Sequence, residues 1–259
     1  MLALAAQWAG MQEIHANSVA PILVSSEQGR QKSTFCKALM PPALQRYYSD
    51  NLKLSAQGNP ERLLAEMGLL NMDEFDKYGA QKMPLLKNLM QMSSLNICKA
   101  YQKNFRNLPR IASFIGTSNR FDLLSDPTGS RRFICVEVEH VIDCNNIEHG
   151  QIYAQLKAEL LAGARSWFTK EEEHELQRRN AAFYHTPPAE EVFHTCFRPA
   201  APEEKCEQLS AADIYKALKT RNAAAMHGSN PATFGQVLLA IGVKRKHTKY
   251  GNVYLVVRQ

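Results

Sequence analysis

The sequence predicts an α/β protein: a largely parallel sheet with helices on its faces, followed by a small basic unit of two helices and a hairpin. Three observations carry this. Short apolar runs of strand length alternate with helical patterns through the first 140 residues, the order that produces parallel sheets covered on both sides. Polar residues suited to phosphate chemistry stand directly after those runs. Positive charge collects at the end: residues 205–259 carry a net +7 and residues 1–204 a net −1, within a total of +6.

Taken in order, MLALAAQWAGM reads as a helix, because it lacks a basic leader region and Gln7 and Trp8 interrupt its apolar run. PILVSS (Pro21 to Ser26) is a buried strand, followed by a helix on which Phe35, Leu39 and Met40 recur at helical spacing. Asn59-Pro60 starts a helix over NPERLLAEM, and MGLLNM (Met67 to Met72) is the second strand. PLLKNLMQM is helical, RIASFIGTSN (Arg110 to Asn119) is the third strand, and RFICVEVE alternates after Phe133 as a fourth strand suited to a sheet edge. From Gln151 to about Asn180 the pattern is helical, a lid or connector, with KEEEHELQRR as a solvated helix. Trp8 and Trp167 read as core anchors.

Pro187, Pro188, Pro199 and Pro202 mark residues 185–206 as a linker. Beyond it, Ser210 caps a helix over SAADIYKALK, Pro231 opens a second over PATFGQVLLAIG, and VKRKHTKYGNVYLVV is a hairpin turning at Gly251-Asn252. Helix, helix, basic hairpin is the order of a winged helix. The domains expected are therefore 1–184, a core with a C-terminal helical segment, and 207–259, a winged-helix DNA-binding unit.

With 45% hydrophobic and 22% charged residues the chain is excluded from the disordered class. No apolar run reaches the roughly 18 residues that cross a bilayer, so no membrane is expected. Six cysteines without a Cys-x-x-Cys pair fit the reducing cytoplasm, and His185, His194, Cys196 and Cys206 match no common zinc spacing.

The first strand runs into Ser26-Glu27-Gln28-Gly29-Arg30-Gln31-Lys32-Ser33-Thr34 and then a helix. A phosphate-binding loop asks for GxxxxGK[ST] in this context: backbone N–H groups cradle the phosphates, the lysine reaches the β- and γ-phosphates, and the hydroxyl holds Mg²⁺. Lys32 and Ser33 are in place, while Ser26 and Gln31 stand where glycines belong. The same residues also suit a plain strand-to-helix turn with a surface lysine. Forty residues on, the second strand ends in Asp73-Glu74, a pair able to hold Mg²⁺ and polarise a water. Asn119, at the end of the third strand, suits orienting that water, and Arg131 and Arg132 suit forking onto a γ-phosphate.

The set VSSEQGRQKSTF, LLNMDEFDKY, KAYQKNFRNLPRIASFIGTSN and DPTGSRRF, in this order, resembles the virulence-associated E family of phage, plasmid and mobile-element proteins, in particular versions from Bacteroides-type bacteria. The resemblance covers about residues 8–185. It implies a P-loop ATPase on an AAA+-like core, similar to superfamily III helicases and the helicase part of primase-helicases. It further implies ATP and Mg²⁺ as ligands, with Lys32 and Ser33 as the Walker A pair, Asp73 and Glu74 as the Walker B pair and Asn119 as the sensor. Arg131 or Arg132 would then be a finger given to a neighbour in a ring, and Lys99, Lys103, Arg106 and Arg110, interleaved with Tyr101 and Phe105, would grip single-stranded DNA in the channel. A solvated loop accounts for that last stretch equally well.

The tail is legible without the family. Lys244, Arg245, Lys246 and Lys249 cluster in the hairpin, a duplex-binding arrangement. The expected function is thus a DNA-dependent ATPase, a helicase or translocase in mobile-element replication. The alternative is a DNA-binding or regulatory module whose altered loop no longer hydrolyses ATP. A third expectation is that a primase-like or other domain precedes Met1.

Overall fold

The computed structural model describes residues 1–11, 16–79, 81–98, 105–124, 130–184, 188–227, 229–249 and 251–259, and the chain divides into two compact units, Met1–His185 and Thr186–Gln259. The first unit runs α1 (Leu2–Trp8), β1 (Ala20–Val24), α2 (Lys32–Ala38), β2 (Tyr48–Ser49), α3 (Pro60–Glu66), β3 (Leu69–Met72), α4 (Met83–Gln91), β4 (Ser94–Cys98), β5 (Phe105–Pro109), β6 (Ser113–Ser118), β7 (Phe133–Glu137), α5 (His149–Leu161) and α6 (Lys170–Arg179). Five strands form one parallel sheet in the order β2-β3-β6-β1-β7. The fold is therefore a mixed α/β one with a parallel central sheet and flanking helices.

Strand alternation divides the core between the two faces. Ile22, Val24, Leu70, Met72 and Phe114 pack with Leu64 of α3 and Leu86, Leu89 and Met90 of α4. Leu23, Leu69 and Ile115 pack with Leu4 of α1 and Cys36 of α2. Burial on both sides explains why these strands read as continuous apolar runs. Gly116 in β6 admits no side chain, since an added Cβ would lie 2.7 Å from Ile22 Cδ1 and 3.1 Å from the Met72 carbonyl oxygen. β7 is an edge strand, and Asn180 pairs with it like a further residue of the sheet, donating Nδ2–H to the Phe133 carbonyl (2.7 Å) and accepting from the Cys135 N–H (3.2 Å). The 151–180 region is thus packed on its own unit. Trp8 stacks on Tyr153, centroids 5.7 Å apart, as an anchor, but Trp167 is 46% exposed and lies outside the buried clusters of the described residues.

β4 and β5 form a separate antiparallel pair. Arg110, grouped above with the DNA-gripping cations, is 1% exposed. It donates from Nη1 to the Leu89 carbonyl (3.1 Å) and to that of Met90, the last turn of α4, and from Nη2 to Gln7 Oε1 (3.2 Å). Burial lowers its pKa to about 10. A guanidinium so enclosed cannot meet a DNA phosphate, and it serves as a C-terminal cap for α4.

The second unit holds α7 (Pro188–Cys196), β8 (Phe197–Pro199), β9 (Glu207–Ser210), α8 (Ala211–Arg221), α9 (Pro231–Ala240), β10 (Arg245–Thr248) and β11 (Gly251–Arg258), with β11 pairing antiparallel to β8, β9 and β10. Residues 188–199 are not a linker. Pro188 sits in the first turn of α7, where its missing N–H costs nothing, and Ala189, Val192, Phe193 and Phe197 enter the core with Ile214, Leu218, Phe234, Leu238 and Val256. Phe193→Ala should therefore cost about 3–5 kcal/mol, the usual range for a buried phenylalanine; a shift in the urea midpoint of the second unit checks this, and a linker residue would give none. Counted over the unit as it folds, ten Lys and Arg face six Asp and Glu, so its excess is +4 and that of residues 1–185 is +2.

Ser210 and Asn230 cap α8 and α9, each accepting backbone N–H bonds. The hairpin turns earlier than the Gly-Asn pair indicated, since Gly251 (φ 113°) and Asn252 already belong to β11 and Asn252 faces His247. No helix among the described residues is long and apolar enough to cross a membrane.

Candidate nucleotide-binding site

In a parallel sheet the loops that follow the strands gather at one edge, where ligands bind in open α/β folds. Here the loops after β1, β3 and β6 converge. The Ser25 N–H donates to the Ser118 carbonyl (3.2 Å), extending the pairing of β1 with β6 into the loop. Ser26, Gln28 and Gly29 are exposed, and Arg30 folds onto Glu27 (2.6 Å). Gly29 (φ 78°) and Gln31 (φ 59°, ψ 26°) are both left-handed. Gln31 thus adopts the backbone that glycine takes freely, at a cost of about 1–2 kcal/mol, and its side chain is exposed.

Lys32 follows at the first position of α2 and is 7% exposed. Its Nζ donates to Asn119 Oδ1 (2.9 Å) and to the carbonyls of Ser25 (3.3 Å) and Glu27 (3.4 Å). Burial lowers its pKa, against the attraction of Asp73 and with the repulsion of Arg30. Ser33 Oγ donates to Asp73 Oδ1 (2.7 Å), 40 residues away in sequence, and Thr34 is exposed beside it. Cys36 is buried one turn on, its thiol pushed up to about 12 by burial and then by Asp73.

Four contributors escaped sequence reading: Thr117, Ser118, Asp76 and Lys77. Thr117 donates to Asp73 Oδ1 (2.6 Å) and accepts from the Glu74 N–H (3.3 Å), so one hydroxyl holds the Asp73 carboxylate and the Glu74 backbone. Glu74, left-handed at φ 53°, is ion-paired with Lys77. Asp76 accepts from Ser118 Oγ (3.0 Å). The only local signal was a run of hydroxyls before Asn119; which acid each would meet depends on the β3–β6 register.

Arg131 and Arg132 do not join this cluster. They precede Phe133, which pairs with Ala20, the first residue of β1, so the length of β1 separates them from the loop, about 16 Å at ~3.3 Å per residue. Arg131 instead pairs with Glu173 of α6 at 3.1 Å. Arg106 is exposed on β5, while Lys99 and Lys103 lie outside the described residues. Lys244, Arg245, Lys246 and Lys249 are exposed on and beside β10.

Residues 11–185, which contain the whole cluster, match the family described as the Virulence-associated protein E-like domain. The chain belongs to this family. In this Virulence-associated protein E-like chain, residues 186–256 match a second family, described as a domain of unknown function from a B. Theta gene, and both matches change over at the boundary between the two units. None of the curated proteins matches the chain. Among solved structures, the apo structure of the NrS-1 C terminal region (305–718) is similar at 14% identity over 99% of this chain and 71% of that one, TM-score 0.42. Its A form gives 15% identity over 98% and 70%, TM-score 0.42, and a further A-form structure 15% over 99% and 71%, TM-score 0.38.

Proposed function

We propose that this chain is a DNA-dependent ATPase, a helicase or translocase of the P-loop, AAA+-like kind acting in the replication of a mobile element in the cytoplasm. One observation carries the reading: Lys32, Ser33, Asp73 and Asn119, from three separate parts of the sequence, meet within hydrogen-bond distance at the ligand-binding edge of a parallel sheet. The residues fit ATP and Mg²⁺. Ser33 and Asp73 offer the hard oxygen ligands Mg²⁺ takes, the left-handed Gly29 and Gln31 open the loop backbone from Ser26 to Thr34, and Lys32 supplies a cation to the phosphates. Glu74 takes a proton from the attacking water, Asn119 positions that water, and Arg131 or Arg132 of a neighbouring chain stabilises the charge on the transferred phosphoryl group. Their place at the opposite end of the sheet supports a homo-oligomeric ring in which each chain completes the next one's site.

DNA meets both units. The second is a winged helix whose hairpin cations track duplex phosphates; Lys99, Lys103 and Arg106 serve a single strand in the channel. Neutralising Lys244, Arg245 and Lys246 together should reduce the log-log salt slope of duplex binding by about 3, at ~0.9 per phosphate contact, measured by fluorescence anisotropy; an unchanged slope removes the hairpin from the interface.

The other reading, a regulatory module that does not hydrolyse ATP, draws on the Lys77–Glu74 pair, which occupies the base, and on the strain at Gln31. ATPase assays with and without DNA, beside equilibrium binding of a labelled ATP analogue, separate the two. DNA-stimulated hydrolysis supports the motor, and absence of Mg²⁺-dependent binding at millimolar analogue supports the module.

A further inference from the structure

Beside the acid pair, on its β2 side, a recess of about 350 Å³ opens between the segment after β2 and the turn after β3. Three lysines, Lys53, Lys77 and Lys82, line it, with Asp73 on its wall. The recess is built. The Tyr78 hydroxyl donates to the Leu52 carbonyl at 2.8 Å, tying one wall to the other, and Leu52 and Leu54 anchor the first wall in the core. Gly58 lies so close over Lys53 that an added Cβ would sit 2.3 Å from the Lys53 carbonyl oxygen, which fixes the chain carrying that lysine.

The charges in it are unequal. Asp73 is already engaged through Oδ1 by Ser33 and Thr117. Lys77 reaches out of the recess to Glu74, whereas Lys53 and Lys82 make no ion pair among the described residues. All three lysines are exposed. Two uncommitted ammonium groups and a third held by a single exposed carboxylate outweigh the Asp73 charge on the wall, a positive excess suited to phosphate, and exposed pairs such as Lys77–Glu74 are weak enough to exchange.

We propose that this recess binds the backbone phosphates of a single nucleic-acid strand, and that a strand seated there draws Lys77 away from Glu74. The inference rests on the reading of Glu74 as the hydrolytic base. Held by Lys77 through Oε2, the carboxylate has one oxygen engaged and its basicity lowered by the ammonium; released, it is the stronger acceptor for a proton from water. The exchange breaks one ion pair and forms another, and it links strand binding to turnover at a distance of one side chain.

Two measurements test it. Single-stranded oligothymidylate binding, followed by anisotropy across a salt series in the full chain, should show the log-log slope fall by about 1.4 in the Lys53→Ala/Lys82→Ala variant, at ~0.7 per phosphate on single strands. That arm needs no hydrolysis, so it stands even if the chain proves not to be an ATPase. In the second, Lys77→Met should raise the DNA-free ATPase rate toward the DNA-stimulated rate of the unaltered chain and shrink the stimulation ratio toward one. An unchanged slope overturns the site. A Lys77→Met rate at or below that of the unaltered chain overturns the coupling. Hydrolysis persisting in Glu74→Gln overturns the base assignment instead. If inorganic phosphate at constant ionic strength is affected by the lysine substitutions while the strand is not, the recess takes the free ion and the strand proposal fails.

Discussion

Lys32→Ala is expected to lower DNA-stimulated ATP turnover by about 10²–10³-fold, the loss seen when one preorganised donor to a developing charge is removed. The ammonium is nearly buried and held by three acceptors, Asn119 Oδ1 and the carbonyls of Ser25 and Glu27. A phosphate approaching it meets a charge already oriented, with little reorganisation left to do. Analogue affinity should fall together with the rate, because the contact exists in the ground state as well. Glu74→Gln gives the contrasting pattern: analogue binding persists while hydrolysis drops by about 10²–10⁴-fold, the contribution of a general base. Robust turnover in Lys32→Ala would remove the site from the mechanism. The urea midpoint of each variant guards against a loss that is only unfolding.

The Arg131→Ala/Arg132→Ala double variant should lose about 10³–10⁵-fold in rate, the range for an arginine finger, and mixing it with Lys32→Ala should restore activity. Both parents are expected to be inactive, for different reasons. One keeps an intact loop and acid pair but offers no arginine to its neighbour; the other offers the arginine but has no lysine. In a mixed ring some interfaces would pair an intact loop with an intact arginine, and these should turn over. Restoration follows from the proposed ring, since the length of β1 separates the arginines from their own chain's Lys32. Absence of restoration in mixed assemblies would show that the arginines serve the Arg131–Glu173 contact and its surroundings rather than catalysis.

Much of the local structure was legible in the residues themselves. Buried parallel strands must be apolar on both faces, so β1, β3 and β6 announced themselves as unbroken runs, and the alternation after Phe133 marked β7 as an edge. The cap at Ser210 and the proline at the start of α9 are rules of a single turn of chain and needed no tertiary information. Where the reading failed, composition stood in for geometry. The prolines of residues 185–206 suggested a linker, yet Pro188 opens α7 and Pro199 pairs with Val256, positions where a proline is tolerated. Arg110 stood among cations and aromatics like a DNA contact, but its guanidinium turns inward to the carbonyls ending α4.

By itself, then, the sequence determined which residue types follow each strand: a lysine and a serine after β1, two acids after β3, an asparagine after β6. Chain connectivity and local propensity are enough for that, because a strand, its loop and its cap lie within a few residues of one another. Only the tertiary structure decided which of these groups meet. The strand order placed β6 between β1 and β3, which let Asn119 reach Lys32 and Thr117 hold Asp73, and the parallel register sent Arg131 and Arg132 to the far end of the sheet. Register and strand order arise from packing between residues distant in sequence, and no pattern within one segment contains them.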